Sequence, residues 1–180
     1  TRLDDAEKYD LGDGYRVVRH DVLPSDSPIA VKALVLAAQT TYGAELTTVF
    51  VLGHVPVPYS GNLNPDGHPD HLGAWPADVF YGELDGSWTD TTVNSVGASR
   101  QQNRNVPGDG KFDQTVIPGS VELCVGRVDF PHMPAFAQGQ AQLLADYLDK
   151  DHDYRHKVFA VEQRAIVDDN FGYFGGEAFA

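Results

Sequence analysis

The chain has 180 residues, of which 42% are hydrophobic, and its formal net charge at pH 7 is −13. That length is enough for one domain with a buried core. The negative charge argues against a nucleic-acid partner, because phosphate groups would be repelled. No run of about 18 apolar residues occurs, so we expect no membrane span. The acidic, lysine-poor composition favours an extracellular or cell-surface protein, and the first residues indicate a piece of a longer polypeptide.

The first part of the chain is predicted to contain a strand, a helix and a second strand. Tyr15–Leu23 is predicted to be the first strand. Ala30–Gln39 has apolar residues at helical spacing, with Ser27 as a candidate N-cap and Gly43 as a stop signal. Thr47–Gly53 is a continuous apolar run, which indicates a strand covered on both faces.

A long loop region is predicted to come next. The prolines within His54–Pro58 cannot donate to a β-ladder and therefore stop the sheet. Tyr59–Pro76 is expected to be a loop, and Asp78–Leu84 a short strand. Residues 85–120 are predicted to form a long polar insertion, which in a compact domain is usually functional, metal-organised or mobile.

Regular structure is predicted to return after the insertion. Val121–Val128 is a predicted strand, a helix extends from Pro134 to about His156, and Val158–Val167 is a further strand. This order predicts an α/β fold, a three-layer sandwich with a mainly parallel sheet, in which residues 1–180 form a single domain or half-domain. Chemistry is expected in the loops beyond the carboxyl ends of the strands.

Three segments, taken in order, resemble the gingipain-like cysteine peptidases of the caspase-like fold group. The first is the helix that starts at Val31 together with the strand and proline turn of Val49–Pro56. The second is Ala77–Gly86, which is similar to the family's Asp-x-Tyr-Tyr-x-x-Leu-Asp-Gly segment. The third is Val121–Val128, which is similar to the Gly-Arg strand that precedes a long helix in the family. The resemblance covers roughly residues 30–160.

The resemblance implies a caspase/gingipain-like fold that is incomplete at the C-terminus. The chain would then be the first half of a peptidase domain in a larger secreted protein. In the family, the catalytic His belongs to a His-Gly pair and the nucleophilic Cys ends a later strand. None of the seven His residues here precedes Gly, and no Cys follows Cys124. The chain alone is therefore predicted to be inactive, with the remainder of the parent polypeptide and a peptide or protein substrate as its partners.

Cys124 is predicted to be an inert thiol in the protein core. It lies between Leu123 and Val125 within a predicted strand, whereas a nucleophilic Cys needs a lowered pKa and access to substrate. Because it is the only cysteine, an internal disulfide is excluded.

Four aspartates in or beside the polar insertion form a candidate calcium site: Asp85, Asp90, Asp109 and Asp113. The last two belong to a Gly-Asp-Gly-Lys-Phe-Asp segment that resembles the middle of a calcium-binding loop. Calcium shared with the earlier aspartates would explain how so polar a segment is ordered. The alternative is that all four are ordinary turn residues.

Asp66, His68 and His71 form a candidate site for zinc or another divalent ion, since their side chains are suitable ligands. The two histidines are close in sequence, so a single ion requires a tight turn. His54 and Asp78 are candidates for a further ligand. The alternative is a polar turn without a metal.

Three functions remain open on these residues. The first is the non-catalytic half of a peptidase domain, and the second is a calcium-stabilised binding or scaffold module without peptidase activity. The third is a metal-dependent hydrolase that uses the Asp66, His68 and His71 loop. At the end of the chain, Asp168–Asn170 are expected to begin a loop or cap a helix. Aromatic residues beyond them are predicted to leave an apolar surface: Phe171, Tyr173, Phe174 and Phe179.

Overall fold

A computed structural model describes residues 15–164 of the chain. Its helices are α1 (Pro28–Tyr42), α2 (Val79–Gly82) and α3 (Gln140–Arg155). Its strands are β1 (Thr48–Leu52), β2 (Tyr59–Leu63), β3 (Gly73–Pro76) and β4 (Cys124–Val128). The described residues divide into two compact units, residues 15–145 and 146–164. Among the residues described, no helix has the length and hydropathy needed to cross a membrane.

Helix α1 confirms the first predicted helix and is longer at both ends. The Ser27 hydroxyl accepts a hydrogen bond of 3.1 Å from the Ala30 N–H, which caps the first turn. Val31 and Val35 are buried on the inner face of the helix. Gly43 ends it with a positive φ of 57°, a conformation that glycine adopts at little cost.

Strands β1 and β4 form a two-stranded parallel sheet, so the fold is mixed α/β. The register pairs Thr48 with Cys124 and Leu52 with Val128, which places the carboxyl ends of both strands at one edge. The predicted strands at these positions are confirmed with shorter bounds. The expectation that β1 is covered on both faces is wrong for the residues described, since Phe50 is 47% exposed.

Strands β2 and β3 form a separate antiparallel pair inside the segment predicted to be a loop. That prediction is wrong because the proline of β3, Pro76, lies at the very end of its strand, where the missing N–H is tolerated. Gly73 begins the same strand, and a Cβ there would lie 2.1 Å from the Asn103 carbonyl oxygen. Only glycine allows this close approach.

Two predicted strands are replaced by other structure. Tyr15–Leu23 contains no strand. Asp78–Leu84 contains helix α2, in which the Glu83 N–H donates to the Val79 carbonyl at 2.9 Å. The apolar residues of Asp78–Leu84 are compatible with either a strand or a helix, but the adjacent residues Phe80 and Tyr81 are both buried. In a strand, two adjacent side chains would point to opposite faces.

The C-terminal predictions are confirmed only in part. Helix α3 begins at Gln140, later than the predicted start at Pro134. Val158–Arg164, the described part of the last predicted strand, forms no strand. Asp168–Asn170 and the aromatic residues from Phe171 onward lie outside the described residues.

The insertion at residues 85–120 contributes directly to the core. Phe112 is 3% exposed and stacks on Phe80 with ring centroids 4.4 Å apart. Trp88 meets Phe80 edge-on at 5.3 Å. These contacts join α2 to a segment that the sequence indicated only as polar, and Val31 and Val51 complete the cluster.

Asp113 organises the polar part of the insertion. Its buried carboxylate accepts hydrogen bonds from the backbone N–H groups of Thr91, Thr92 and Val93 at 2.8–3.1 Å, and from the Thr89 hydroxyl at 2.8 Å. Burial alone would raise the pKa of Asp113, but these hydrogen bonds outweigh it and hold that pKa well below its usual range. The segment is therefore ordered by a carboxylate bound to backbone donors.

We predict that Asp113→Ala lowers the free energy of unfolding by about 3 kcal/mol, because several buried N–H donors lose their acceptor. Urea unfolding followed by circular dichroism measures the change. Glu45→Gln, on an exposed side chain, is the matched control and should stay within about 0.5 kcal/mol of wild type. An Asp113→Ala protein as stable as wild type would contradict the role given to this carboxylate.

The Asp113 contribution should also depend on pH in a defined direction. A carboxylate with a lowered folded-state pKa stabilises the fold fully above the unfolded value of about 3.9, and less as the pH falls toward the folded-state value. The stability difference between wild type and Asp113→Asn should therefore be constant from about pH 8 to 5 and shrink below about pH 4. Urea titrations of both proteins at each pH measure this difference, and a difference that grows in acid would be evidence against it.

Candidate functional site

Polar side chains gather at the carboxyl edge of the parallel pair. His54 follows β1, Asp129 follows β4, and Asp78 lies at the start of α2. This is the edge at which open parallel sheets usually place their ligands. We define the edge cluster as His54, Asp78, Tyr81, Arg127 and Asp129.

Arg127 holds the edge cluster together. Its guanidinium binds Asp78 through both carboxylate oxygens, with Nε–Oδ2 and Nη2–Oδ1 distances of 2.7 and 2.9 Å. Nη1 and Nη2 donate to the carbonyls of Val55 and Pro56 at 2.7 and 3.2 Å. Burial alone would lower the pKa of Arg127, but the hydrogen bonds and charge of Asp78 outweigh it and raise that pKa. One side chain thus fixes the end of β4, the turn after β1 and the start of α2.

Tyr81 adds a second contact to the same turn. Its hydroxyl donates to the Pro56 carbonyl at 2.6 Å. Burial raises the pKa of Tyr81 above its ordinary value. The phenol is therefore a neutral donor that positions backbone, and it is not suited to losing its proton.

His54 and Asp129 form an imidazole–carboxylate pair at the accessible rim of the cluster. The His54 Nδ1 lies 3.1 Å from Asp129 Oδ2, and the two side chains are 45% and 11% exposed. Arg127 Nη1 lies 3.7 Å from the same carboxylate oxygen. The other oxygen, Oδ1, is buried and has no hydrogen-bond partner among the described residues. The carboxylate can orient the ring, and imidazole–carboxylate pairs of this kind can serve proton transfer.

Cys124 lies at the opposite end of the sheet from this pair. It is the first residue of β4, so about 16 Å of strand separates it from Asp129. The prediction of a buried core thiol is wrong: the side chain is exposed and lines a cavity of about 310 Å³ with Val79 and Val121. Cys124 is exposed because it is the first residue of β4, and the described residues do not cover that end of the strand. The thiol cannot form a dyad with His54 in this geometry.

Asp66, His68 and His71 come together in the connection between β2 and β3. Asp66 Oδ2 lies 2.5 Å from the His71 Nδ1 and 3.1 Å from the His68 Nδ1. Desolvation alone would raise the pKa of Asp66, but the combined hydrogen bonds from His71 and His68 outweigh it and lower that pKa to about 2. The predicted extra ligands do not join them, because His54 pairs with Asp129 and Asp78 with Arg127.

The four aspartates of the candidate calcium site do not form one cluster in the part of the chain described. Asp90 accepts from the Gly108 and Gly110 N–H groups, each at 2.7 Å, and Asp109 pairs with Lys111 at 2.7 Å. These carboxylates tie the turn at residues 108–110 into place. Calcium binding by this set therefore stays a prediction.

Asp85 belongs instead to a different acidic group, with Glu83 and Glu122. Glu83 is fully buried and accepts from the Gly86 N–H and, at 2.5 Å, from Trp88 Nε1. Burial alone would raise its pKa, but these hydrogen bonds and the charge of Lys32 hold the pKa of Glu83 below its usual range.

Lys32 supplies the positive charge that Glu83 needs. Its ammonium lies 3.7 Å from Glu83 Oε2, donates to the Glu83 carbonyl at 2.5 Å, and sits 4.4 Å from the Phe80 ring centroid. Burial lowers the pKa of Lys32, although Glu83 opposes that shift. Sequence reasoning missed this pair. The feature of the sequence that could have indicated it is a lysine next to Val31, on the apolar face of α1.

No protein-family model, curated protein or solved structure matches this chain.

We predict that Arg127→Lys lowers the free energy of unfolding by about 1–3 kcal/mol, because lysine cannot reproduce the paired bonds to Asp78 while also reaching two carbonyls. Chemical unfolding measures the change. Arg19→Lys is the matched control, since Arg19 is exposed and pairs with its sequence neighbour Asp21. Equal losses in the two variants would show that the fork geometry of Arg127 is unimportant.

Proposed function

We propose that this chain is the non-catalytic first half of a gingipain-like cysteine peptidase domain. In this proposal, the edge cluster forms one wall of the substrate cleft. The thiolate that attacks the peptide carbonyl, and the His that serves as its acid and base, are supplied by polypeptide beyond residue 180.

The state of the parallel sheet supports this proposal. Within the described residues, β1 pairs only with β4, and β4 only with β1. Parallel sheets are normally covered on both faces, and a pair of strands alone is marginally stable in water. Phe50 of β1 is nearly half exposed. A sheet of this kind is expected to gain further strands and a covering layer from additional polypeptide.

The chemistry at the carboxyl edge supports it too. Arg127 and Asp78 hold the edge rigidly, and the His54–Asp129 pair is open to an incoming group. The described residues bring no thiol and no cluster of metal ligands to this edge, because Cys124 lies at the far end of β4. In this proposal, the edge binds and orients the substrate, and the covalent step uses a nucleophile from another strand.

The scaffold alternative differs from this proposal only in the polypeptide beyond residue 180. The hydrolase alternative has less support. Its three side chains are each at least 41% exposed: His71, His68 and Asp66. Excluding water from an active site strengthens the electrostatic interactions on which catalysis depends, and this loop does not exclude it. The approach of both imidazoles to one carboxylate oxygen favours metal binding by that loop, but it does not supply a catalytic cleft.

We predict that the 180-residue chain alone does not cleave peptides. A fluorogenic peptide library, incubated with and without a thiol-blocking reagent, should release no signal above buffer. Cys124→Ala is the matched control and should behave identically. Turnover that is sensitive to the reagent and absent in Cys124→Ala would overturn the proposed function.

A longer polypeptide that continues past residue 180 in the source protein should show thiol-dependent peptidase activity. In it, Asp129→Asn should lower kcat/KM at least tenfold, because the His54 ring loses the carboxylate that orients it at the cleft wall. Asp21→Asn, at an exposed carboxylate that pairs with Arg19, is the matched control. A longer protein that is folded and inactive would favour the scaffold alternative.

A further inference from the structure

The connection between β2 and β3 holds two imidazoles and a carboxylate on an anchored backbone. Gly67 turns the chain with φ of 79°, and a 3₁₀ turn at Pro69–His71 follows. The Asp70 carbonyl accepts from the Ser99 N–H at 2.7 Å. The His71 carbonyl accepts from the Trp75 indole N–H at 3.2 Å. The three side chains are thus presented by a loop that is tied to its neighbours.

We propose that Asp66, His68 and His71 bind one zinc ion, with a water molecule in the fourth position. One ligand atom from each residue lies within 4.8 Å of the other two. The ligands of a tetrahedral zinc ion with bonds of about 2.0–2.1 Å are roughly 3.3 Å apart. The His68 Nδ1–Asp66 Oδ2 distance of 3.1 Å is already close to that value, and the His71 Nδ1–Asp66 Oδ2 distance of 2.5 Å has to lengthen. Small side-chain rotations therefore suffice to admit the ion.

The arrangement of the rings supports a cation at this point. Both Nδ1 atoms, of His68 and His71, approach the same carboxylate oxygen of Asp66. The rings meet edge to face with centroids 5.5 Å apart. On zinc binding, each ring would lose the proton that Nδ1 shares with Asp66, give the Nδ1 lone pair to the metal and carry its single remaining proton on Nε2. The exposure of the loop leaves a route for the ion to enter.

The ligand chemistry separates this site from a calcium site. Two of the three donors are imidazole nitrogens, which suit zinc and related transition metals. Calcium takes six to eight oxygen ligands, and this loop cannot supply them. The zinc site does not depend on the proposed peptidase function, because the loop is separate from the edge cluster and lacks its residues.

Titration calorimetry of the metal-free 180-residue protein with zinc chloride tests the site. We expect one zinc ion per chain and no heat with calcium chloride at the same concentration. His68→Ala and His71→Ala should each weaken zinc binding at least tenfold, with the circular dichroism spectrum unchanged. Nitrogen-15 spectra of the imidazoles should show the His68 and His71 Nδ1 signals shifting when zinc is added.

A second histidine pair provides the decisive control. His152 and His156 have ring centroids 4.1 Å apart in and just after α3, and a helical pair at this spacing can also hold a transition metal. Zinc affinity should be unchanged in His152→Ala/His156→Ala. Loss of binding in that variant, or full binding in both His68→Ala and His71→Ala, would overturn the proposal and indicate adventitious binding elsewhere.

Discussion

The bidentate pair between Arg127 and Asp78 is the contact on which the rest of the candidate site depends. Arg127 is near the carboxyl end of β4, and its remaining donors reach the carbonyls of Val55 and Pro56, just after β1. A turn with two prolines has few N–H groups to offer, so its position must be set through its carbonyls. Arginine is suited to this task because its planar fork presents several donors in fixed directions. The position of His54, and its contact with Asp129, follows from where this turn is held.

Away from the edge, carboxylates that accept backbone hydrogen bonds order the segment for which calcium was one of the two explanations considered. The Asp113 carboxylate accepts hydrogen bonds from backbone N–H groups of residues 91–93. The Asp90 carboxylate accepts hydrogen bonds from backbone N–H groups in the turn at residues 108–110. The Glu83 carboxylate accepts a hydrogen bond from the Trp88 indole N–H and forms an ion pair with Lys32. A carboxylate that accepts several hydrogen bonds is stable in its charged form even when buried, because the donors replace its hydration. A polar insertion can be ordered in this way without an ion.

The sequence predicted the elements with a strong periodic or apolar signal, and it failed where long-range contacts decide. Helix α1 and strand β1 follow from local patterns, as do the stop after β1 and the place of β4. The pairing of β2 with β3 was hidden, because its strands are short and contain glycine and proline. Asp78 was predicted as a metal ligand, yet it binds Arg127, 49 residues later in the chain. No local signal indicates such a partner. Asp66, His68 and His71 were found because sequence proximity alone brings them together.

The direction of β4 decides what the chain can do with its only thiol. Because β1 and β4 are parallel, their carboxyl ends share one edge, and Cys124 at the amino end of β4 is excluded from it. In the proposed peptidase domain, the nucleophile at the His54–Asp129 edge would therefore follow some other strand of the same sheet. The open sides of β1 and β4 are the places where such a strand could pair, since their outward backbone groups have no partner strand among the described residues. The geometry that keeps Cys124 away from the His54–Asp129 edge thus indicates where a catalytic strand would join in the proposed peptidase domain.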